Sequence, residues 1–224
     1  MCGRFALTAP ASTIAEVFQV DVLPDVLPRY NIAPTNEVAC VVREGDHDVM
    51  KTFRWGLIPS WAKDRKMAYK TINARAETVA SKPAFRSAFK RRRILVLADG
   101  FYEWERTDPK NKVPHLIQLR EGKPFGMAGL WERWTDPESG EDVYSCTIVT
   151  TGPNTLMNGI HDRMPVILPA ESWATWLDPD VQDPAKLTEL LVPYPAEDMQ
   201  ERAVSRKVGD VKNKDEDVQG PWEG

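Results

Sequence analysis

Between residues 94 and 151 the chain divides into apolar runs of five to nine residues, at 94–98, 101–105, 113–120, 125–131 and 143–151. Runs this short suit strands and fall below the roughly ten residues of an ordinary helix. Upstream, residues 3–7, 38–43 and 48–53 read the same way, and a last short run follows at 166–168. Helical spacing is confined to a few short stretches. Ile14, Val17 and Phe18 at i, i+3, i+4 predict a helix over 11–19, and residues 84–90, 170–177 and 184–191 look helical. The proline-rich connection with Pro24, Pro28 and Pro34 reads as irregular, and Asp99-Gly100 between apolar runs reads as a hairpin turn. The fold class expected is therefore α+β, dominated by short strands. No repeat and no long linker divides the 224 residues, and composition alone makes the segment after Arg206 a flexible tail.

The chemistry is most concentrated at the start, Met1-Cys2-Gly3-Arg4-Phe5. Initiator methionine is normally removed ahead of a small residue, and removal would leave Cys2 with a free thiol and a free α-amine. Their reference pKa values, about 8.5 and about 7.7–8.0, give each a reactive fraction near neutral pH. Such a pair can attack one carbonyl twice: the amine forms an imine, and the thiol then closes on the imine carbon as a five-membered thiazolidine. An internal cysteine cannot do this, because its nitrogen is held in a peptide bond. The other two cysteines, Cys40 and Cys146, lie in strand-like runs and read as core. No metal-ligand spacing and no even-numbered disulfide framework is present, so no metal is predicted and a reduced, cytoplasmic protein is expected. The sequence holds no apolar run long enough for a transmembrane helix and no signal-peptide pattern, so no membrane partner is expected.

Net charge is −4, but it is unevenly placed. Residues 51–93 hold thirteen Lys or Arg against two acids, Asp64 and Glu77, a local +11 on an otherwise acidic chain. A segment of that kind fits a surface facing a polyanion, while a run such as 90–93 alone is also what a solvated face looks like. Three further segments group polar side chains. Asn73 and Arg75 would project to one side of an extended segment, with Arg75 able to hold a phosphate bidentately. Glu103 lies between Tyr102 and Trp104, and shielding by aromatics raises a carboxyl pKa toward proton-shuttle range. His161, followed by Asp162 and Arg163, supplies the side chain best matched to proton transfer at neutral pH. Read singly, each is also compatible with a structural role.

Six motifs, in order, give the chain a resemblance to one family. They are Met1-Cys2-Gly3-Arg4-Phe5, Arg29-Tyr30-Asn31-Ile32-Ala33-Pro34-Thr35, Trp55-Gly56-Leu57-Ile58-Pro59-Ser60-Trp61, Asn73-Ala74-Arg75-Ala76-Glu77-Thr78, Phe101-Tyr102-Glu103-Trp104 and His161-Asp162-Arg163-Met164-Pro165. With residues 204–213 matching the C-terminal end, they resemble the SRAP family, for SOS response-associated peptidase, whose members are abasic-site processing proteins. The resemblance implies one domain over 1–213, with a twisted, barrel-like antiparallel β core and peripheral helices, and a flexible tail over 214–224. It implies no cofactor, a monomer, and binding to single-stranded or junction DNA that carries an abasic site, with association to the nucleoid while on DNA.

What the resemblance implies for the site is specific. Cys2 would crosslink covalently to the abasic sugar as a thiazolidine, shielding the lesion, with Asn73 orienting the amine or sugar, Glu103 shuttling protons and His161 protonating the ring oxygen. Arg4, Arg75 and Arg163 are the phosphate candidates, and Asn31, Pro34, Trp55 and Trp61 the groove candidates, Trp61 ahead of Trp55. Family members often carry a second aromatic after Trp61, where this chain has Ala62. The peptidase label implies self-removal of Met1, and the imine opens a route to weak lyase activity. Two alternatives stay open: an N-terminal-nucleophile hydrolase or amidotransferase, and a non-covalent single-strand-binding module.

Overall fold

Short apolar runs, some of them alternating with polar side chains, form the strands that build the core. The computed structural model describes residues 2–105 and 112–223, and thirteen strands lie among them. They are β1 (Phe5–Leu7), β2 (Arg29–Ile32), β3 (Glu37–Glu44), β4 (His47–Trp55), β5 (Asn73–Arg75), β6 (Arg93–Ala98), β7 (Gly100–Trp104), β8 (Pro114–Leu119), β9 (Phe125–Thr135), β10 (Asp142–Thr151), β11 (Met164–Pro165), β12 (Ile167–Leu168) and β13 (Met199–Ala203). Four α-helices accompany them: α1 (Ala11–Phe18), α2 (Arg86–Arg91), α3 (Ala170–Leu177) and α4 (Pro184–Glu189).

Strands β3, β4, β10, β9 and β6 close on themselves. Each pairs with the next around the ring, and β6 returns to β3 through Cys40↔Val96 and Val41↔Leu95. The ring is antiparallel except at one seam, where β10 runs parallel to β4 at Ser145↔Arg54 and Cys146↔Trp55. Closure removes the free strand edges that an open sheet would expose. A second, five-stranded sheet runs β13-β8-β7-β1-β2. The expected α+β domain, with a twisted barrel-like β core and helices at its edges, is thus the observed one.

One core joins the two sheets. Phe5 of the second sheet meets Trp55 of the barrel with ring centroids 5.1 Å apart, and both are fully buried. Side chains of this size contribute about 1.5–3 kcal/mol each on burial. The helices are short and hold by packing rather than by intrinsic propensity. On α1, Ile14 and Phe18 face inward, and Phe18 stacks on Trp173 of α3 at 4.9 Å.

Arg93 shows why charge density in sequence is an incomplete guide to surface. It belongs to the basic run, yet it is almost wholly buried. Its guanidinium donates to the carbonyls of Trp176 (2.6 Å), Phe89 (2.9 Å), Lys90 (2.5 Å), Val181 (2.9 Å) and Asp178. Burial lowers its pKa to about 10, so it stays charged at neutral pH. All of these carbonyls but that of Val181 lie at the C-terminal ends of α2 and α3, where a cation complements the helix dipole. Arg92 and Arg65 are likewise paired, with Glu132 and Asp136.

Asp99-Gly100 is not the hairpin expected from sequence. β6 pairs with β3 and β9, whereas β7 pairs with β1 and β8, so this dipeptide carries the chain from the barrel to the other sheet. Asp99 Oδ2 accepts from the Thr8 N–H (2.5 Å), the Thr8 hydroxyl (2.8 Å) and the Ala9 N–H (2.6 Å), which fixes the crossing against the end of β1. A Cβ at Gly100 would lie 2.7 Å from Leu116 Cδ1, so a larger residue there would have to displace the buried Leu116 side chain.

The boundary expected at Asn213 is also corrected. Residues Glu216–Gln219 form a 3₁₀ turn, Val218 is fully buried, and Gln219 donates to the Tyr102 hydroxyl at 2.9 Å. Backbone bonds from Ser205 to Gly220 (2.9 Å) and a Val204↔Pro221 bridge return this segment to the second sheet. Composition missed the packing because only one apolar side chain in the turn, Val218, provides it.

Candidate functional site

β1 positions Cys2. Its antiparallel register with β7, Phe5↔Phe101 and Ala6↔Gly100, is extended by the Tyr102 N–H bond to the Arg4 carbonyl (2.9 Å). Continuing that register sets Cys2 and Gly3 beside Glu103 and Trp104. Cys2 is fully buried. Burial, and then the nearby Glu103 carboxylate, push its thiol pKa far above the ordinary range, so at neutral pH the sulfur stays protonated.

Glu103 and His161 are almost as closed to solvent. His161 Nε2 lies 3.7 Å from Glu103 Oε2. Its Nδ1 accepts the Arg163 backbone N–H at 3.0 Å, which in the neutral ring leaves the proton on Nε2, on the Glu103 side. Asp162 Oδ1 also lies 3.0 Å from Nδ1 and would receive a second proton's hydrogen bond if the ring became cationic. The segment bearing His161 is anchored by its N–H to the Met157 carbonyl (2.8 Å), by Asn154 Oδ1 to the Met157 N–H (2.9 Å) and by Asn154 Nδ2 to the Tyr194 carbonyl (2.7 Å). Thiol, carboxylate and imidazole thus converge in a dry, preorganised site able to move protons around the second residue of the chain.

Asn73 begins β5, which runs parallel to β10 with Asn73↔Ile148 and Arg75↔Thr150. Its amide N–H bonds the Ile72 carbonyl (3.1 Å), while its Oδ1 is buried with no hydrogen-bond partner among the described residues. The Ile72 carbonyl also accepts the Trp55 indole N–H (2.9 Å), so Asn73 connects to the Cys2 strand through Trp55 and Phe5. The Arg75 side chain is exposed and makes no hydrogen bond or ion pair among the described residues.

Several expected DNA contacts are engaged within the protein instead. Arg4 Nη1 donates to Asn31 Oδ1 (2.8 Å) and to the Val208 carbonyl (2.6 Å), and its guanidinium lies 6.0 Å from the Trp104 ring. Asn31 Nδ2 donates to the carbonyls of Asn213 (2.7 Å), Asp210 (3.1 Å) and Val208 (3.3 Å). Both residues therefore clamp the segment at 208–213 against the N-terminal strand, a role that sequence could not show because the partners lie about two hundred positions away. Arg163 forms a bidentate pair with Glu77 (2.5 and 2.9 Å) and donates to the Thr150 carbonyl (2.6 Å), so a phosphate would have to displace Glu77. That pairing lowers the Glu77 carboxyl pKa. Trp55 is fully buried and presents no stacking face, which corrects its assignment as a groove residue; Trp61 is 57% exposed. Pro34 is half-buried ahead of Thr35, whose φ of 76° is held by its N–H bond to the Trp55 carbonyl (2.8 Å).

Among the described residues no cluster of His, Cys, Asp and Glu could hold a metal ion, and no helix is long and apolar enough to cross a membrane. Met1, whose removal the sequence analysis anticipates, lies outside the described residues.

Similar proteins share this architecture. The chain is 48% identical over 216 residues to the abasic site processing protein YoqW of Bacillus subtilis (strain 168), covering 95% of this chain and 96% of that protein. It is 31% identical over 221 residues to the abasic site processing protein YedK of Escherichia coli (strain K12), covering 95% and 96% respectively. A crystal structure of a protein from Bacteroides thetaiotaomicron superimposes with a TM-score of 0.86 at 29% identity, covering 98% of this chain and 99% of that one. With residues 1–211 matching the family profile described as SOS response associated peptidase (SRAP), and with Cys2, Glu103 and His161 gathered at the join of its two sheets, the chain belongs to the SRAP family.

Proposed function

We propose that this protein captures abasic sites in single-stranded or junction DNA by forming a covalent thiazolidine through Cys2. The observation that carries the reading is the enclosure of Cys2 together with Glu103 and His161, two groups suited to proton transfer. Removal of Met1 frees the Cys2 amine. The abasic deoxyribose opens to its C1′ aldehyde when O4′ gains a proton and the C1′ hydroxyl loses one; His161 in its protonated form, with Nδ1–H held by Asp162 Oδ1, supplies the first from Nε2 and is left neutral, and Glu103 accepts the second. The amine adds to C1′, and the resulting carbinolamine loses water, protonated by Glu103, to give an imine.

The thiol closes the ring. Its sulfur bonds to the imine carbon and its proton passes, through Glu103, to the imine nitrogen, so that no atom leaves in this step. The sulfur, which gives up its proton to Glu103 as it bonds, adds after the amine has formed the imine. Asn73 Oδ1, a buried acceptor without a partner, is suited to orient the amine. Until the ring closes, the imine allows β-elimination of the 3′ phosphate, the basis of a weak lyase side reaction. Self-removal of Met1 by the same groups accounts for the peptidase label.

A denaturing gel tests the reading. Protein with a verified Cys2 N-terminus is mixed with single-stranded DNA carrying one abasic site, beside Cys2→Ala and undamaged DNA. A denaturation-resistant band is expected only for the native residue with damaged DNA. Its absence with a confirmed free Cys2 would overturn the proposal. Retention of Met1 by Cys2→Ala, but not by the native chain, in an aminopeptidase-free expression system is the expected mark of self-removal.

A further inference from the structure

Residues 58–70 leave the barrel and return to the same point. The Leu57 N–H bonds the Thr71 carbonyl (3.3 Å), and the Thr71 hydroxyl bonds the carbonyls of Leu57 (2.5 Å) and Met67 (2.9 Å). The underside of this excursion is a small core of its own, built from Ile58, Ala62, Ala68 and Trp134. The Trp134 indole N–H bonds the Ala62 carbonyl (2.7 Å), and Gly56, at φ +120°, lets the Ala68 carbonyl approach to 2.9 Å of where a Cβ would stand. Arg65, paired with Asp136 at 2.9 Å, pins the outer edge. The excursion is therefore a braced arm rather than a loose loop.

Its outer side has a different composition. Trp61 and Tyr69 are 57% and 66% exposed, and Lys63, Lys66 and Lys70 are exposed beside them. None of these five side chains makes a hydrogen bond, ion pair or ring contact among the described residues. A shallow groove of about 280 Å³, floored by Ala62 and Met67, runs beside Trp61. Position 62 cannot present an aromatic face, since Ala62 is buried beneath Trp134. Tyr69 can, and it stands four residues from Asn73, at most about 14 Å along an extended backbone. Unpaired aromatics interleaved with unpaired cations suit a strand whose bases are unstacked and whose phosphates run alongside.

We propose that Tyr69, flanked by Lys66 and Lys70, is a second base-stacking platform, so that the arm over 58–70 grips two unpaired bases next to the abasic sugar. The inference rests on the DNA-binding reading above and adds a specificity: the strand beside the lesion must carry bases, not only phosphates.

The test measures binding of undamaged single-stranded oligothymidine, and of a strand whose thymines near one end are replaced by base-free spacers, by fluorescence anisotropy. Tyr69→Ala is expected to weaken binding to the thymine strand roughly 5- to 100-fold. Tyr69→Phe should bind as the native chain does. The native protein should prefer the thymine strand over the spacer strand, and Tyr69→Ala should lose that preference, which a merely structural role would not produce. Lys66→Gln with Lys70→Gln should lower the salt slope by about 1.4, from two phosphate contacts on a single strand. Equal binding by Tyr69→Ala and the native chain, with the native chain crosslinking abasic DNA, would overturn the platform and leave the function standing. Native binding without crosslinking, and with the Tyr69 effect intact, would overturn the function and leave the platform. Absence of native single-strand binding would overturn both.

Discussion

Cys2, Glu103 and His161 are 0, 3 and 5% exposed, whereas Trp61 and Tyr69, on the arm that leads into Asn73, are 57 and 66% exposed. The first group is embedded where the two sheets meet; the second rides on a braced excursion whose lysine side chains have no partner among the described residues. The difference teaches that, in the proposed function, reaction and capture are built on separate physics. In the enclosed centre, low dielectric strengthens each polar interaction and fixes proton positions. On the open arm, charges are screened and aromatic faces await a ligand. Changes in the first should alter rate with little effect on affinity, and changes in the second should do the reverse.

The sharpest way to break this division is at the centre. His161→Ala and Glu103→Gln are each expected to slow crosslinking about 10²- to 10⁴-fold while anisotropy on undamaged single strands stays unchanged. A loss of affinity of similar size would show that the two regions are not separable. Next in size is the clamp. Arg4→Met leaves Asn31 Oδ1 without its donor and the Val208 carbonyl with only the longer bond from Asn31 Nδ2, and a buried group left unpaired costs about 1–3 kcal/mol. The expected result is a lower urea midpoint with an unchanged salt slope; an unchanged midpoint with a reduced slope would return Arg4 to the DNA surface.

The buried thiols give a pH dependence. Burial raises the pKa values of Cys2 and Cys40 above their unfolded values. Their contribution to stability is therefore complete below about pH 8.5 and declines as pH rises beyond it, by up to roughly 1.4 kcal/mol per pH unit for each thiol. Urea midpoints at pH 7, 8 and 9.5 should show the fall, and Cys2→Ala with Cys40→Ala should flatten it. The smallest effect is expected on the open side. Arg75→Gln should lower the single-strand salt slope by about 0.7, the share of one phosphate, without altering the crosslinking rate at saturating DNA.

Much of this was legible in the sequence, for identifiable reasons. Strand alternation and short helical spacing located β6 through β10 and α3, because local periodicity survives whatever the chain packs against. Cys2, Glu103 and His161 stood out because their chemistry is rare in combination, and the fold places them together. Sequence failed where a partner is remote. Arg4, Asn31 and Arg163 have the right groups for phosphate, but Val208, Asn213 and Glu77 hold them in the folded chain. Arg93 counted as surface charge and is core. Tyr69 gave no signal at all, since exposure of a tyrosine is a property of the arm beneath it.

The clamp also bears on the order in which the molecule is completed. Arg4 and Val208 are separated by 204 positions, so the strand that follows Cys2 waits for almost the whole chain before its last hydrogen bonds can form. Contacts of such long range form late in folding, and a chain still emerging from the ribosome holds its N-terminal strand without its final brace. A prematurely terminated product ending before Val208 would carry Cys2 yet lack the clamp that seats it. The seating of the N-terminal strand is thus tied to the segment at 208–213.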